Sequence, residues 1–329
     1  MNTFKSFDAQ IYTLNDSSFE DIALKLFRFQ ASNNPVYGSF IRHMGIESDK
    51  IHSLNAIPFL PISFFKNQVI KTGDWKSETT FSSSGTTGAT TSTHHVQSLA
   101  FYQNHSLRCF EYFFGPVTNY HFLALLPSYL ERTDSSLVVM MDYFIRKSGS
   151  PHSGFYLNNT DQLTKDLEIL KKGKRKPVLW GVSFALLDLA DKVKPDLSHC
   201  MVVETGGMKG RRAEIVRQEL HQMLCKGFNI PQVYSEYGMT ELLSQSYTRG
   251  KERFYTPPWK KIIGRDTSDP LLKGLQNETA GINVIDLANT HTVAFIETED
   301  MGKTFADGSF EVLGRFDNSD VRGCNLLVE

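Results

Sequence analysis

The chain has 329 residues, 40% of them hydrophobic, and its 35 basic against 36 acidic side chains leave a formal net charge of −1. That length and apolar share suffice for one large domain or two ordinary ones without disulfide or metal staples. The balanced charge excludes a global field for nucleic acid or an anionic membrane. No apolar run reaches the length of a membrane span, and the start MNTFKSFDAQ lacks the pattern of a signal peptide, so a cytoplasmic protein with small-molecule or specific protein partners is expected. Cys109, Cys200, Cys225 and Cys324 are scattered, without C-x-x-C spacing, and the first three read as small packed hydrophobes.

Taken in chain order, SSFEDIALKLFRFQ reads as a helix, with Ser17 and Glu20 in a capping box and Phe19, Ile22, Leu26 and Phe27 on one stripe. Next comes FSSSGTTGATTSTHHV (81–96), flanked closely by the apolar IPFLPISFF (57–65) and LAFYQNHSLRCFEYFF (99–114). Those flanks argue for a loop held by packed structure over a linker. Gly85 and Gly88 admit close backbone approach, and Ser82, Ser83, Ser84, Thr86 and Thr87 offer donors to anionic oxygens. The loop is not a P-loop, because the Lys of G-x-x-x-x-G-K-[ST] is missing, and on its own it fits a phosphate cradle and a turn-rich loop equally.

YHFLALLP (120–127) reads as a buried strand, while SSLVVMMDYFI fits a strand or a helix. The basic run KKGKRK (171–176) reads as a solvated loop. Alternation then becomes regular: PVLWGV strand, SFALLDLADKV helix, CMVVETGG strand, RRAEIVRQELHQMLCKG helix closed by Gly227, QVYSEYG strand. This order predicts a parallel sheet covered by helices, with ligands at the carboxyl ends of its strands, where Gly206, Gly207 and Gly238 fall. From about residue 259, WKKIIGRD, GINVID, TVAFIETED and SFEVLGRFD predict an antiparallel appendage, such as a small barrel.

YSEYGMTE (234–241) sets an aromatic, a glycine, a hydroxyl and a carboxylate within five positions. Beside a nucleotide, Tyr237 can stack on a base, Gly238 admits close approach, Thr240 can donate to a phosphate and Glu241 can hold Mg²⁺; a surface turn with a capping Thr is the plainer reading. Together with the Ser/Gly/Thr loop, however, this segment resembles the acyl-adenylate-forming superfamily of acyl-CoA synthetases, luciferases and adenylation domains. Further matching segments follow in family order: ETGGMKG with Gly206 and Gly207, FIETEDMG with Asp300, and GRFD with Arg315.

The resemblance implies an α/β fold: the large N-terminal part of an adenylate-forming enzyme, with mostly parallel, helix-flanked sheets and a small antiparallel β subdomain. It implies that residues 82–88 hold the β and γ phosphates of ATP, that Gly206, Gly207 and Tyr237 frame adenine, and that Asp300 and Arg315 fix the ribose. Thr240 would then meet the α-phosphate and carboxylate, and Glu241 would hold Mg²⁺. Two departures stand out. Ala89, Thr90, Thr91 and Ser92 replace the usual Pro and Lys after the loop, and the chain stops at Glu329 where most members continue into a lid, so no separate lid domain is expected. The expected division is 1–258 for the α/β adenylation part, 259–316 for the β-rich part and 317–329 for a hinge-like tail.

With FLPISFFK, LPSYLERTDSS and SDVRGCNLLVE, these departures are similar to one branch, the acyl-protein synthetases of bacterial bioluminescence. That likeness implies activation of a fatty acid as acyl-AMP and its transfer to a thiol: Cys324, a partner protein or coenzyme A. The alternative is a catalytically reduced nucleotide- or acyl-binding subunit that needs a partner for activity. A serine hydrolase is not expected, because the G-x-S-x-G elbow is missing. Three groups stay open at this level. His94 and His95 fit a cation near the phosphates, a helix cap or a solvent-facing pair; Arg132 and Asp134 fit an ion pair or a substrate contact; Phe64, Phe65, Phe113, Phe114 and Phe122 fit an acyl pocket or plain core.

Overall fold

The computed structural model describes residues 3–83, 91–126, 132–206 and 215–316. Among them, the strands Tyr120–Leu125, Lys176–Val182, Met201–Thr205 and Tyr234–Tyr237 lie side by side in parallel, with Gly154–Phe155 at the outer edge. Their interiors are almost unbroken apolar runs because helices cover both faces. The helix Leu99–Phe114 runs into the first strand. The segment left open between strand and helix is the helix Ser136–Ser148, which buries Val138, Val139, Met140, Met141, Tyr143 and Phe144 and ends on Gly149 in the left-handed region. Its thirteen residues exceed an ordinary strand, and only a helix turns that many apolar side chains onto the sheet.

The helices Ser183–Lys192 and Arg217–Phe228 pack against each other at Gly227. Gly227 does not close the second helix as expected. It lies inside it, where a Cβ would come 2.7 Å from that of Ala190, and Asn229 (φ 55°) provides the left-handed stop. The first long helix, Asp16–Asn33, is likewise capped differently from expectation: Asn15 accepts from Ser18 N at 3.0 Å while Ser18 Oγ accepts from Asn15 N at 3.0 Å. Glu20 turns away to accept Leu54 N at 3.1 Å.

Beyond Tyr237 the sheet turns antiparallel without a break. Ser246–Thr248 pairs with Tyr234–Tyr237, then Phe254–Tyr255, Phe310–Arg315, Phe295–Thr304, Ala280–Asp286, Lys260–Arg265 and Lys273–Leu275 follow in spatial order. Instead of a closed barrel, these strands extend the parallel sheet, which carries Asp300 and Arg315 toward Tyr237. The N-terminal helices seal the far side. Gln30 donates to Asn289 O (2.8 Å) and accepts Ala294 N (3.0 Å), and Asn34 Nδ2 reaches Thr292 O at 3.0 Å. Among the described residues no helix is long and apolar enough to cross a membrane.

Candidate active site

The Ser/Gly/Thr stretch begins on a β-hairpin. Strands Thr79–Ser82 and Thr93–Val96 pair antiparallel, and just past their ends Ser83 N donates to Ser92 O (3.1 Å) and Ser92 N to Ser83 Oγ (2.9 Å). Ser82 N donates to Asp134 O at 2.8 Å, which ties the hairpin to the end of the parallel strands. Arg132 and Asp134 form an ion pair at 3.0 Å. Ser84, Gly85, Thr86, Thr87, Gly88, Gly207 and Cys324 lie outside the described residues.

His94 is buried on this hairpin. Its Nδ1 donates to Thr240 O at 2.7 Å and its Nε2 faces Thr292 Oγ1 at 3.2 Å. Burial pushes its pKa down to about 4, so the ring is neutral at physiological pH. A carbonyl accepts only, so the proton sits on Nδ1 and the lone pair of Nε2 takes the Thr292 hydroxyl. His94 is therefore no cation for a phosphate. It is a strut between the Ser/Gly/Thr hairpin and the turn after Tyr237. His95 pairs with Ser77 Oγ at 3.1 Å and is lowered too, mainly by burial.

Gly238, Met239 and Thr240 lie at the surface or half-buried in that turn, and Glu241 beyond them is buried. Burial raises the Glu241 carboxyl, against a hydrogen bond from Ser92 and the charge of Arg315. Asn289 Nδ2 holds Glu241 O at 2.9 Å. Behind the turn, Asp286 accepts Leu243 N (2.9 Å), Ser244 N (2.8 Å) and Ser244 Oγ (2.5 Å). Ser244 Oγ also meets His105 Nε2 at 2.8 Å, and burial sets His105 down to about 4.

Tyr237 packs edge-on against Phe310 and tilted on Phe254, and its hydroxyl donates to Asp300 Oδ2 at 2.7 Å. Asp300 Oδ1 accepts Arg315 Nε at 3.1 Å, the two residues being register partners on adjacent strands. Asp300 is buried, while the Arg315 side chain is 72% exposed, so this ion pair has one wet end. At the neighbouring strand end, Gly206 (φ 69°) is exposed and its carbonyl accepts Ser183 Oγ at 2.6 Å. Glu204 below it is buried. Burial alone would raise it, but the His221 hydrogen bond and the Arg217 charge at 3.4 Å hold it below the usual carboxylate range.

The fold thus brings Ser82, Ser83, Gly206, Tyr237, Gly238, Thr240, Glu241, Asp300 and Arg315 to the carboxyl ends of the parallel strands and the adjoining antiparallel edge. No family model matches the sequence, and no curated protein matches it. Solved structures do. A 2-hydroxyisobutyryl-CoA ligase, in an open conformation with 2-HIB-AMP and CoA, superposes with a TM-score of 0.64 at 11% identity, over 91% of this chain and 70% of that one. ATP-bound MatB from Rhodopseudomonas palustris gives 0.54 at 16% identity, over 72% of this chain and 47% of that one. The chain has an adenylate-forming α/β fold. It spans about half the length of MatB. A long-chain-fatty-acid-CoA ligase from Archaeoglobus fulgidus shares the adenylate-forming fold at a TM-score of 0.50 and 16% identity, over 72% of this chain and 51% of that one.

Four polar residues of the site escaped sequence reasoning: Glu204, Glu236, Lys260 and Asp286, all buried. For Glu204 and Asp286 the available signal was a carboxylate in a mainly apolar strand, as in MVVET and GINVID; Glu236 in YSEY and Lys260 in KKIIGR carried no such contrast. Phe65 and Phe122 are fully buried, and Phe64, Phe113 and Phe114 pack partly buried on the same core. Cys109 is buried, Cys200 and Cys225 are half-buried, and burial pushes the Cys109 thiol up to about 12.

Proposed function

We propose that the chain activates a carboxylic acid as its acyl-AMP at the expense of ATP and passes the acyl group to a thiol. The observation that carries this reading is the convergence of Tyr237, Gly238, Thr240 and Glu241 with Asp300 and Arg315 in an adenylate-forming fold. A carboxylate oxygen attacks the α-phosphorus, the bond to the bridging oxygen breaks, and pyrophosphate leaves. The protein's task in such a step is positioning and charge neutralisation.

In this reading the 82–88 loop takes the β and γ phosphates, Gly206, Gly207 and Tyr237 border adenine, and Asp300 with Arg315 takes the ribose hydroxyls. Thr240 orients the α-phosphate and the acid. One buried carboxylate beside hydroxyl oxygens suits Mg²⁺, which keeps its waters and binds through few protein ligands; among the described residues no group of three or more His, Cys, Asp or Glu competes for it. Glu241 would hold the ion, which supplies charge neutralisation on the phosphates. The acceptor thiol then attacks the acyl carbonyl, AMP leaves, and the thiol proton is released. Cys324 is the acceptor proposed within the chain, with a partner protein or coenzyme A as the acceptors outside it, and a fatty acid is the substrate class that the sequence resemblance implies.

Glu241→Ala is expected to abolish acid-dependent ATP–pyrophosphate exchange while the thermal melt stays cooperative. Retained exchange overturns the role of Glu241. Intact mass after incubation with Mg-ATP and pooled acids should show an acyl-sized gain that is absent in Cys324→Ser; a gain that survives the substitution moves the acceptor elsewhere.

A further inference from the structure

The amino ends of the strands Tyr120–Leu125 and Lys176–Val182, at the far end of the sheet from the crevice, carry a second polar cluster. His121 is 8% exposed there and pairs through Nδ1 with Ser150 Oγ at 2.5 Å. Ser150 Oγ accepts His152 N at 3.1 Å, and its own proton has no other acceptor among the described residues, so the hydroxyl donates to Nδ1. A neutral imidazole that accepts at Nδ1 carries its proton on Nε2. That Nε2–H has no acceptor among the described residues. Gly173 is exposed beside it, and a Cβ there would stand 3.9 Å from Nε2, so the bare backbone leaves the donor open.

Cations gather round this donor without acids to balance them. The His152 ring stands edge-on to His121 at 5.8 Å, and Arg175 Nη1 donates to Ser148 O at 3.0 Å. Burial lowers the His121 imidazole, and the charges of His152 and Arg175 lower it further. Lys172, Lys174 and Lys176 of the basic run are exposed, as expected of a solvated loop. Asp166 has both oxygens engaged, Oδ1 with His152 Nδ1 at 3.2 Å and Oδ2 with the Tyr156 hydroxyl at 2.7 Å, and Glu168 pairs with Lys171 at 2.7 Å. Among the described residues Arg175, Lys172, Lys174 and Lys176 form no ion pair. Open N–H donors and uncompensated cations select an anion over a metal, and among the described residues no group of three or more His, Cys, Asp or Glu could hold a metal. A guanidinium with ammonium and imidazole groups around it matches the several oxygens of a phosphate.

We propose that His121, His152, Arg175 and the lysines of the 171–176 run form a binding site for a phosphate dianion, at the end of the sheet opposite the crevice. His121 Nε2–H supplies the directed hydrogen bond, Asp166 steadies the His152 ring from behind, and Arg175 and the lysines supply the charge. This site lies apart from the crevice and does not depend on adenylation.

The test is calorimetric titration of inorganic phosphate into the full chain, with chloride holding the ionic strength constant. Saturable binding with a Kd of about 1 mM or tighter is expected. His121→Phe should weaken it at least about tenfold, the strength of a charge-assisted hydrogen bond. Lys174→Gln, on an exposed loop where folding is not at stake, should weaken it about two- to fivefold. No saturable binding, or binding unchanged in both variants, overturns the site. Thr86→Val is the control, since the 82–88 stretch is proposed to take nucleotide phosphates: binding lost in this variant and kept in His121→Phe overturns the site as well. Competition by glycerol 3-phosphate makes the ligand a soluble phosphate ester. Cosedimentation with phosphatidic acid–phosphatidylcholine vesicles that is lost in His121→Phe makes it a lipid headgroup, and either result supports the site.

Discussion

The two halves of the sheet are built from different interiors. In the parallel half, Phe122–Leu126, Val178–Trp180 and Met201–Val203 are apolar and almost wholly buried. In the antiparallel half and the segments leading to it, the buried set includes Asp286, Asn283, Asn289, Thr292, Thr298, Asp300, Lys260 and Arg265. Arg265 alone reaches Thr298 O at 2.9 Å, Ile282 O at 3.2 Å and Asn283 Oδ1 at 3.3 Å. The parallel half presents glycine-bearing strand ends on a non-directional packed base. The antiparallel half fixes side chains by directed bonds, where each lost partner leaves a buried polar group unmet.

Breaking the polar half should show the largest effect. Asp286→Ala strips the acceptor from three amides and a hydroxyl and removes the largest compensating charge of Lys260, a loss of about 3–5 kcal/mol in chemical denaturation. A loss below about 1 kcal/mol would mean that water takes over these groups.

Acid should find the same half. His94 and His105 are set from 6.5 down to about 4 by burial, so their contributions are full above pH 6.5 and vanish as pH falls through 4. Each is of the order of 3 kcal/mol. Unfolding at pH 7, 5 and 4 should reveal this slope, and His94→Asn, which keeps a donor toward Thr240 O, should flatten it. Removal of one hydroxyl in Tyr237→Phe should cost about 1.5–3 kcal/mol, because its acceptor is the Asp300 carboxylate. A volume-conserving swap in the parallel half, Leu179→Met, should stay under about 1.5 kcal/mol. If it costs as much as Asp286→Ala, the contrast between the halves fails.

The parallel half was legible in the sequence because strand and helix periods alternate there and glycines mark the strand ends. SSLVVMMDYFI stayed ambiguous, since a fully covered helix has no polar face to betray its period. The cap at Asn15 was missed because several side chains in NDSSFE can accept an N-terminal amide, and Glu20 is drawn off by Leu54. The site motifs were legible as clusters of residue types. Their wiring was not: Gln30 bonds a carbonyl 259 residues away, and His94 one 146 residues away. No local pattern encodes such pairs. Asp300 and Arg315 came closer to being readable, as adjacent antiparallel strands put them in register.

One chain of contacts runs from the surface helices to the turn before Glu241. Asn34 caps two helices at once and holds Thr292 O, the Thr292 hydroxyl meets His94, and His94 holds Thr240 O. Docking of the N-terminal helices and order at Thr240 are therefore coupled equilibria. Linkage is reciprocal: whatever tightens the turn at Thr240 also protects the first helices from opening, so proteolysis near residue 34 is expected to report on order at Thr240.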